Sequence, residues 1–238
     1  MTFAAIDWVT FDCYGTLIDW ERGIFEALAP FLTGPAAALD RAALGARYIA
    51  CEAEVEREAY RPYREVLAAA SARLLDRLGS RLPAGRESAL PDSLPAWPAF
   101  PEVPAALRAL AASGRRIAIL SNVDRDLIAR SIPRLGVAPD LVVTAEDCRS
   151  YKPAPGHWAR FESSSGAGPD RALHVGASLY HDVAPASARG YRTLFVNRNG
   201  EPVSGAPPTR AVRDLADLAG VVDEIAGAGL RRGLHAEP

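Results

Sequence analysis

The sequence predicts an α/β protein, a doubly wound parallel sheet with a helical cap inserted behind its first strand. Three observations lead there. From residue 104 onward, short apolar, β-branched runs alternate with helical ones, the order of a parallel sheet covered on both faces. Before that, a long Ala, Leu, Arg and Glu block with helical spacing holds no strand and separates the first strand from the rest. Finally, Asp12, Ser121, Asn122 and Asp182 stand just beyond predicted strands, where open α/β sheets bind their ligands.

Each element has its own signal. Residues 6–11 are apolar and β-branched or aromatic, apart from Asp7, and Gly15 supplies the turn into a helix over 17–32. Residues 36–82 are helical, with Leu67, Leu74, Leu75 and Leu78 at helical intervals. A Pro-, Ser- and Gly-rich loop is expected over 83–104, with WPAF at 97–100 as the linker returning to the sheet. Helices follow at 103–113, 124–135, 183–189 and 215–226, and strands at 116–120, 141–144, 172–175 and 192–196. The expected division is a core of residues 1–17 and 100–238 and a cap of residues 18–99.

Composition narrows the function classes. The chain has 238 residues, 49% hydrophobic and 24% charged, enough to bury a core. A net charge of −2 gives no basic field for nucleic acid. No apolar run approaches the roughly 18 residues of a membrane span, so no membrane partner is expected. The start, MTFAAIDWVTF, lacks a basic segment and carries Asp7 in its apolar stretch, unlike a secretory signal. Three cysteines without a CxxC pair suit a reducing cytoplasm. Neither nucleotide-binding glycine fingerprint occurs.

One count is sharper. The chain has 26 Arg and a single Lys, Lys152, with no Gln. Surface charge pairs accept Arg readily, whereas a buried point-charge ammonium does not tolerate a larger planar guanidinium. A lone surviving lysine is therefore a candidate for chemistry.

The stretch Phe11-Asp12-Cys13-Tyr14-Gly15-Thr16-Leu17 resembles the first motif of the haloacid dehalogenase superfamily, and LSN at 120–122, YKP at 151–153 and GASLYHD at 176–182 resemble the others, in family order and spacing. The resemblance covers essentially the whole chain and implies a Rossmann-like core with Asp12 as nucleophile, Lys152 pairing with Asp12 and Asp182, and Thr16 and Ser121 donating to the Asp12 carboxylate. Phosphatases of the superfamily carry a second Asp two residues after the nucleophile, to protonate a leaving alkoxide; here Tyr14 stands there. Their paired carboxylates in the fourth motif are reduced here to Asp182, with Ala177 at the other position. A hard octahedral cation would be poorly held, and no metal or other cofactor is expected. Halide leaves without a proton, so the resemblance narrows to the (S)-2-haloacid dehalogenase branch and implies a small carboxylic-acid substrate. It places Cys13, Tyr14, Asn122, Trp158, Ser178 and His181 around that substrate, and Arg47 of GARYIACEAEVE as the cap arginine receiving halide.

Trp158 replaces the branch's tyrosine, and Ala177 and Leu179 replace its usual Ser and Asn. FDCYGTLIDWE and SLYHD are instead similar to a sub-branch that includes azetidine-2-carboxylate hydrolase, for whose cationic substrate Tyr180 and His181 would be contacts. That activity, a Mg²⁺ phosphatase and a non-catalytic binding module are the alternatives. The branch includes homodimers, although no interface stripe is legible here.

Overall fold

A computed structural model describes residues 5–234, with side chains described through residue 228. Six parallel strands form one sheet: β1 (Trp8–Phe11), β2 (Arg116–Ser121), β3 (Leu141–Thr144), β4 (Ala172–Gly176), β5 (Arg192–Val196) and β6 (Arg210–Val212), in the order β3-β2-β1-β4-β5-β6. The chain winds outward from β1 to β3, then crosses back to place β4 on the other side of β1. That reversal opens a crevice between the carboxyl ends of β1 and β4. Registers such as Phe11↔Ile119 and Phe11↔Val175 keep the three central strand ends level.

The sheet's two faces read directly from strand alternation. Val9, Phe11, Ile117, Ile119, Leu173 and Val175 join the larger core, with the cap helices, α5 (Val103–Ala112) and α10 (Leu218–Leu234). Trp8, Ala118, Leu120 and Ala172 face a smaller core with Trp158 and Phe161 of α8 (Gly156–Ser165). Both faces are buried, which explains why the strands read as continuous apolar runs.

The helical layer holds α1 (Trp20–Leu28), α2 (Arg41–Glu56), α3 (Tyr63–Arg77) and α4 (Ala89–Ser93). Asp19 and Asp40 cap α1 and α2, accepting from Arg22 N and Ala43 N. The amino end of α3 is capped from the sheet layer: Asp124 accepts from the backbone N–H groups of Tyr63 and Arg64, each at 2.8 Å. The two crossings between layers are themselves paired, with Asp19 N donating to Pro98 O at 2.8 Å and Phe100 N to Leu17 O at 3.0 Å. Leu17 closes the turn after Asp12 and Ile18 bridges to Ala99, so α1 starts at Trp20 rather than at residue 17.

Among the described residues, several elements escaped the sequence, the short helix Ala145–Cys148 among them. The expected loop at 83–104 contains α4, whose Leu90, with Leu94 just beyond it, is fully buried in the helical layer despite the flanking prolines. Helix α8 follows Pro153 and Pro155, and only His157, Trp158 and Phe161 mark its buried face. Strand β6 is a three-residue edge strand with mostly exposed side chains, too short for alternation to show.

Candidate active site

Asp12 follows β1 at the central crevice, with its backbone N–H bonded to Val175 O of β4 at 2.9 Å. Gly15 turns the chain there at φ +101°, and a side chain on it would press on the Trp20 indole at 3.0 Å. The turn brings Thr16 back beneath Asp12, where Thr16 Oγ1 donates to Asp12 Oδ2 at 2.8 Å and accepts from Ala177 N at 2.9 Å. The chain after β4 makes one π-helical turn, Leu179–Val183, that points Asp182 inward. Such turns recur at functional sites. Gly176 leaves the room: a Cβ there would lie 2.4 Å from Asp182 Cβ.

Lys152 joins the two carboxylates. Its Nζ donates to Asp12 Oδ1 at 2.9 Å and to Asp182 Oδ1 at 2.6 Å. The Lys152 and Asp182 side chains are 1% exposed and Asp12 14%, so only Asp12 opens toward the crevice. Asn122 places the lysine by clamping its backbone: Lys152 N donates to Asn122 Oδ1 at 2.6 Å, and Asn122 Nδ2 donates to Lys152 O at 3.1 Å.

One cation between two anions sets the charges. Burial disfavours the Lys152 ammonium, but Asp12 and Asp182 outweigh it and hold its pKa above the usual value. Burial also pushes Asp182 up, yet Lys152 and His174 reverse this and hold it well below the carboxylate range. Asp12 keeps the opposite balance: burial, then the Asp182 charge, raise it against the pull of Lys152. The shorter Lys152–Asp182 contact agrees with this division. Among the described residues, no group of three or more His, Cys, Asp and Glu side chains is arranged to hold a metal ion. The two carboxylates present share a lysine, which does not fit a hard six-coordinate cation.

Several expected site residues are engaged by other partners. Arg47 is exposed on α2 and folds back to donate to Ala43 O of its own helix at 2.8 Å; helical phase carries it outward. Trp158 is fully buried on the far face of the sheet, edge-on to His174 with ring centroids 5.4 Å apart, and packs rather than lines the crevice. Ser121 does not bond Asp12: its hydroxyl is buried with no partner. The Cys13 side chain lies in the core, where burial pushes its thiol well above the usual value. Tyr14 donates or accepts at Ser131 Oγ at 2.9 Å and packs edge-on to Trp97, so it stays engaged at the layer crossing. Asn122 acts on the Lys152 backbone instead of lining a pocket. Ser178 Oγ caps the turn by accepting from His181 N at 3.0 Å, and His181 stacks edge-on with exposed Tyr180. Burial holds His181 below its usual pKa.

Other residues were not anticipated. Tyr48, Glu52 and Glu56 succeed one another at four-residue steps on one face of α2. Glu52 Oε1 accepts from Tyr63 OH at 2.7 Å and Tyr48 OH at 3.1 Å. Tyr63 packs on Tyr151, next to Lys152. Burial and the neighbouring Glu52 push Glu56 up to about 8, with Lys152 pulling it back. On this helix face it is the Glu56 carboxylate, and not the Arg47 guanidinium, that lies within electrostatic reach of the lysine. The four-residue spacing stands in GARYIACEAEVE, but spacing alone does not tell which face of the helix is buried. His174 and Thr10, beneath Asp182, lie on β4 and β1 with no sequence signal beyond being polar residues in buried strands. Arg198 clasps both crossings, donating to Thr16 O at 2.8 Å, pairing with Glu102 at 2.8 Å and lying 3.5 Å from the Phe100 ring centroid.

A capped, doubly wound sheet with a carboxylate–lysine–carboxylate cluster at its central strand ends defines a class of α/β enzymes. Comparison with known proteins names the class: the chain belongs to the haloacid dehalogenase-like hydrolase family, whose profile matches residues 6–190. It is 36% identical over 103 residues to haloacetate dehalogenase H-2 of Moraxella sp. (strain B), covering 42% of this chain and 46% of that one. It is 33% identical over 123 residues to (S)-2-haloacid dehalogenase H-109 of Pseudomonas putida, covering 50% and 54%. The chain thus spans about half the length of these curated relatives. Among solved structures, an L-2-haloacid dehalogenase superposes with TM-score 0.81 at 27% identity, covering 92% of this chain and 100% of that one. An L-2-haloacid dehalogenase of Xanthobacter autotrophicus with chloropropionic acid covalently bound superposes with TM-score 0.79 at 21% identity, covering 92% and 98%. No helix among the described residues is long and apolar enough to cross a membrane.

Proposed function

We propose that this enzyme hydrolyses small 2-haloalkanoic acids to 2-hydroxy acids, without a metal, through an ester on Asp12. The observation that carries the reading is the Lys152 bridge from Asp12 Oδ1 to Asp182 Oδ1, with Thr16 on the other Asp12 oxygen. These bonds favour the ionised form of Asp12 against its burial and fix the direction of the carboxylate. A carboxylate so held attacks C2 in line and expels halide with inversion. Water positioned by Asp182 and Lys152 then attacks the Asp12 carbonyl and releases the 2-hydroxy acid. The backbone N–H groups of Cys13 and Tyr14 cradle the substrate carboxylate. The dehalogenases named among the relatives support this reading. Tyr14 and Ala177, standing where phosphatases carry acids, disfavour phosphate esters. Cytoplasmic location and homodimerisation belong to the same reading, and light scattering in solution tests the latter. The test of function is a panel of chloroacetate, both 2-chloropropionates and p-nitrophenyl phosphate. Turnover of a chloroacid unaffected by EDTA is expected; phosphate release that EDTA abolishes and Mg²⁺ restores would return the phosphatase reading.

One observation favours a second leaving group. The cap brings Glu56, beside Glu52 on α2, within electrostatic reach of Lys152, where a halide would want a cation and the ring ammonium of azetidine-2-carboxylate an anion. Turnover of that acid above both chloropropionates, lost in Glu52→Gln and Glu56→Gln, would select this reading.

A further inference from the structure

His174 is 1% exposed and lies directly beneath the acid that faces the second step. Its Nδ1 is 2.8 Å from Thr10 Oγ1, and its Nε2 is 3.5 Å from Asp182 Oδ1. The Thr10 hydroxyl is also 3.3 Å from Leu173 O, a much longer contact than the one to His174. An ionised carboxylate can only accept, so the Nε2 that faces Asp182 carries the imidazole proton, and the bare Nδ1 then accepts from the Thr10 hydroxyl at the shorter of its two contacts. Trp158 packs edge-on against the ring, and the β1–β4 register sets His174 opposite Thr10. Asp182 thus receives Lys152 and His174 on Oδ1 and the Ser178 N–H on Oδ2, the last at 3.3 Å. Asp12 receives nothing from His174.

We propose that His174, with its tautomer fixed by Thr10, is a positioning residue for Asp182 and so serves hydrolysis of the Asp12 ester rather than its formation. This rests on the roles given to Asp12 and Asp182 above. In the step concerned, the water oxygen bonds to Asp12 Cγ and one water proton passes to the Asp182 carboxylate. The bond from Cγ to the substrate oxygen breaks, and that oxygen takes the proton from Asp182 as the 2-hydroxy acid forms. The remaining proton leaves Asp12 to solvent, which restores the carboxylate. A carboxylate free to rotate would meet the water poorly, while attack at C2 needs only Asp12, Lys152 and Thr16.

The test is single-turnover rapid quench with (S)-2-chloropropionate, with intact-protein mass spectrometry following the ester. In His174→Phe, ester formation is expected to stay within about threefold of the parent while its hydrolysis slows by about tenfold or more, so that esterified protein accumulates. Thr10→Val, nearly isosteric, is expected to show a smaller slowing of the same step, and His174→Gln, which keeps an N–H donor, to recover part of the rate. A parallel fall in both steps, or unchanged hydrolysis, overturns the proposal. A turnover-free measurement stands beside it: long-range ¹⁵N–¹H spectra of the folded parent should show His174 protonated at Nε2 and bare at Nδ1. The opposite tautomer overturns the proposal whether or not a chloroacid is turned over. Absence of any ester in the parent, with the expected tautomer present, would instead count against the nucleophilic role of Asp12.

Discussion

Lys152 carries the largest share of the site at residue scale, and it was the residue most legible in the sequence. One lysine among 26 arginines marks a position where a guanidinium does not serve, and the structure buries that ammonium between two carboxylates. Lys152→Arg is expected to cut turnover at least about a hundredfold while leaving the far-UV circular dichroism unchanged; near-normal rates would make the lysine dispensable. Removing the cation outright would strand two buried anions, a loss of roughly 3–5 kcal/mol. Glu56 makes a second prediction, in pH. Its carboxyl ionises near 4.5 in an unfolded chain and near about 8 in the fold. The native state therefore holds the proton more tightly, and its advantage is full below 4.5 and lost progressively as pH rises to about 8. Glu56→Gln should flatten that decline and exceed the parent in stability at slightly alkaline pH, by roughly 2 kcal/mol. Thermal melts across pH read this directly, and a variant no more stable than the parent would place Glu56 in solvent. Neither Glu56 nor Glu52 was legible, because burial of a helix-face carboxylate depends on which neighbours the fold brings over it.

At the scale of elements, strand ends were legible and cap faces were not. The strands β1, β2, β4 and β5 are buried on both faces and mostly apolar, and Asp12 and Asn122, which directly follow β1 and β2, marked the crevice. The orientation of α2 was not fixed by its pattern: Arg47 and Tyr48 are adjacent in sequence, yet one faces solvent and the other is 1% exposed. Trp158 shows the same limit, since its spacing from Lys152 says nothing of which face of the sheet α8 covers. The turn after β4 depends on its neighbours as well. Gly176→Ala would bring a methyl to within 2.4–2.6 Å of the Asp182 side chain, so the carboxylate must move off Lys152. Turnover is expected to fall at least about a hundredfold with the melting temperature lowered by only a few degrees. Retained activity would mean that the position of Asp182 tolerates displacement.

Across the whole molecule, the inserted cap was readable from the break in alternation after β1, and its attachment was not. Two paired crossings, the Arg198 clasp and the Asp124 cap on α3 hold the helical layer over the strand ends. These contacts join residues far apart in sequence, and no local pattern announces them. The sheet order places β1 and β4 side by side, and Asp12 is the cluster member that opens at their carboxyl ends. The central claim is that this carboxylate is itself the nucleophile. A single turnover of (S)-2-chloropropionate in ¹⁸O-water, with enzyme in excess, tests it most directly. If Asp12 attacks C2, solvent oxygen enters the Asp12 carboxylate, because water cleaves the ester at its carbonyl. The peptide containing Asp12 is then labelled and the product hydroxyl is not. Labelled product with an unlabelled Asp12 peptide would contradict the account and make Asp12 a base that activates water.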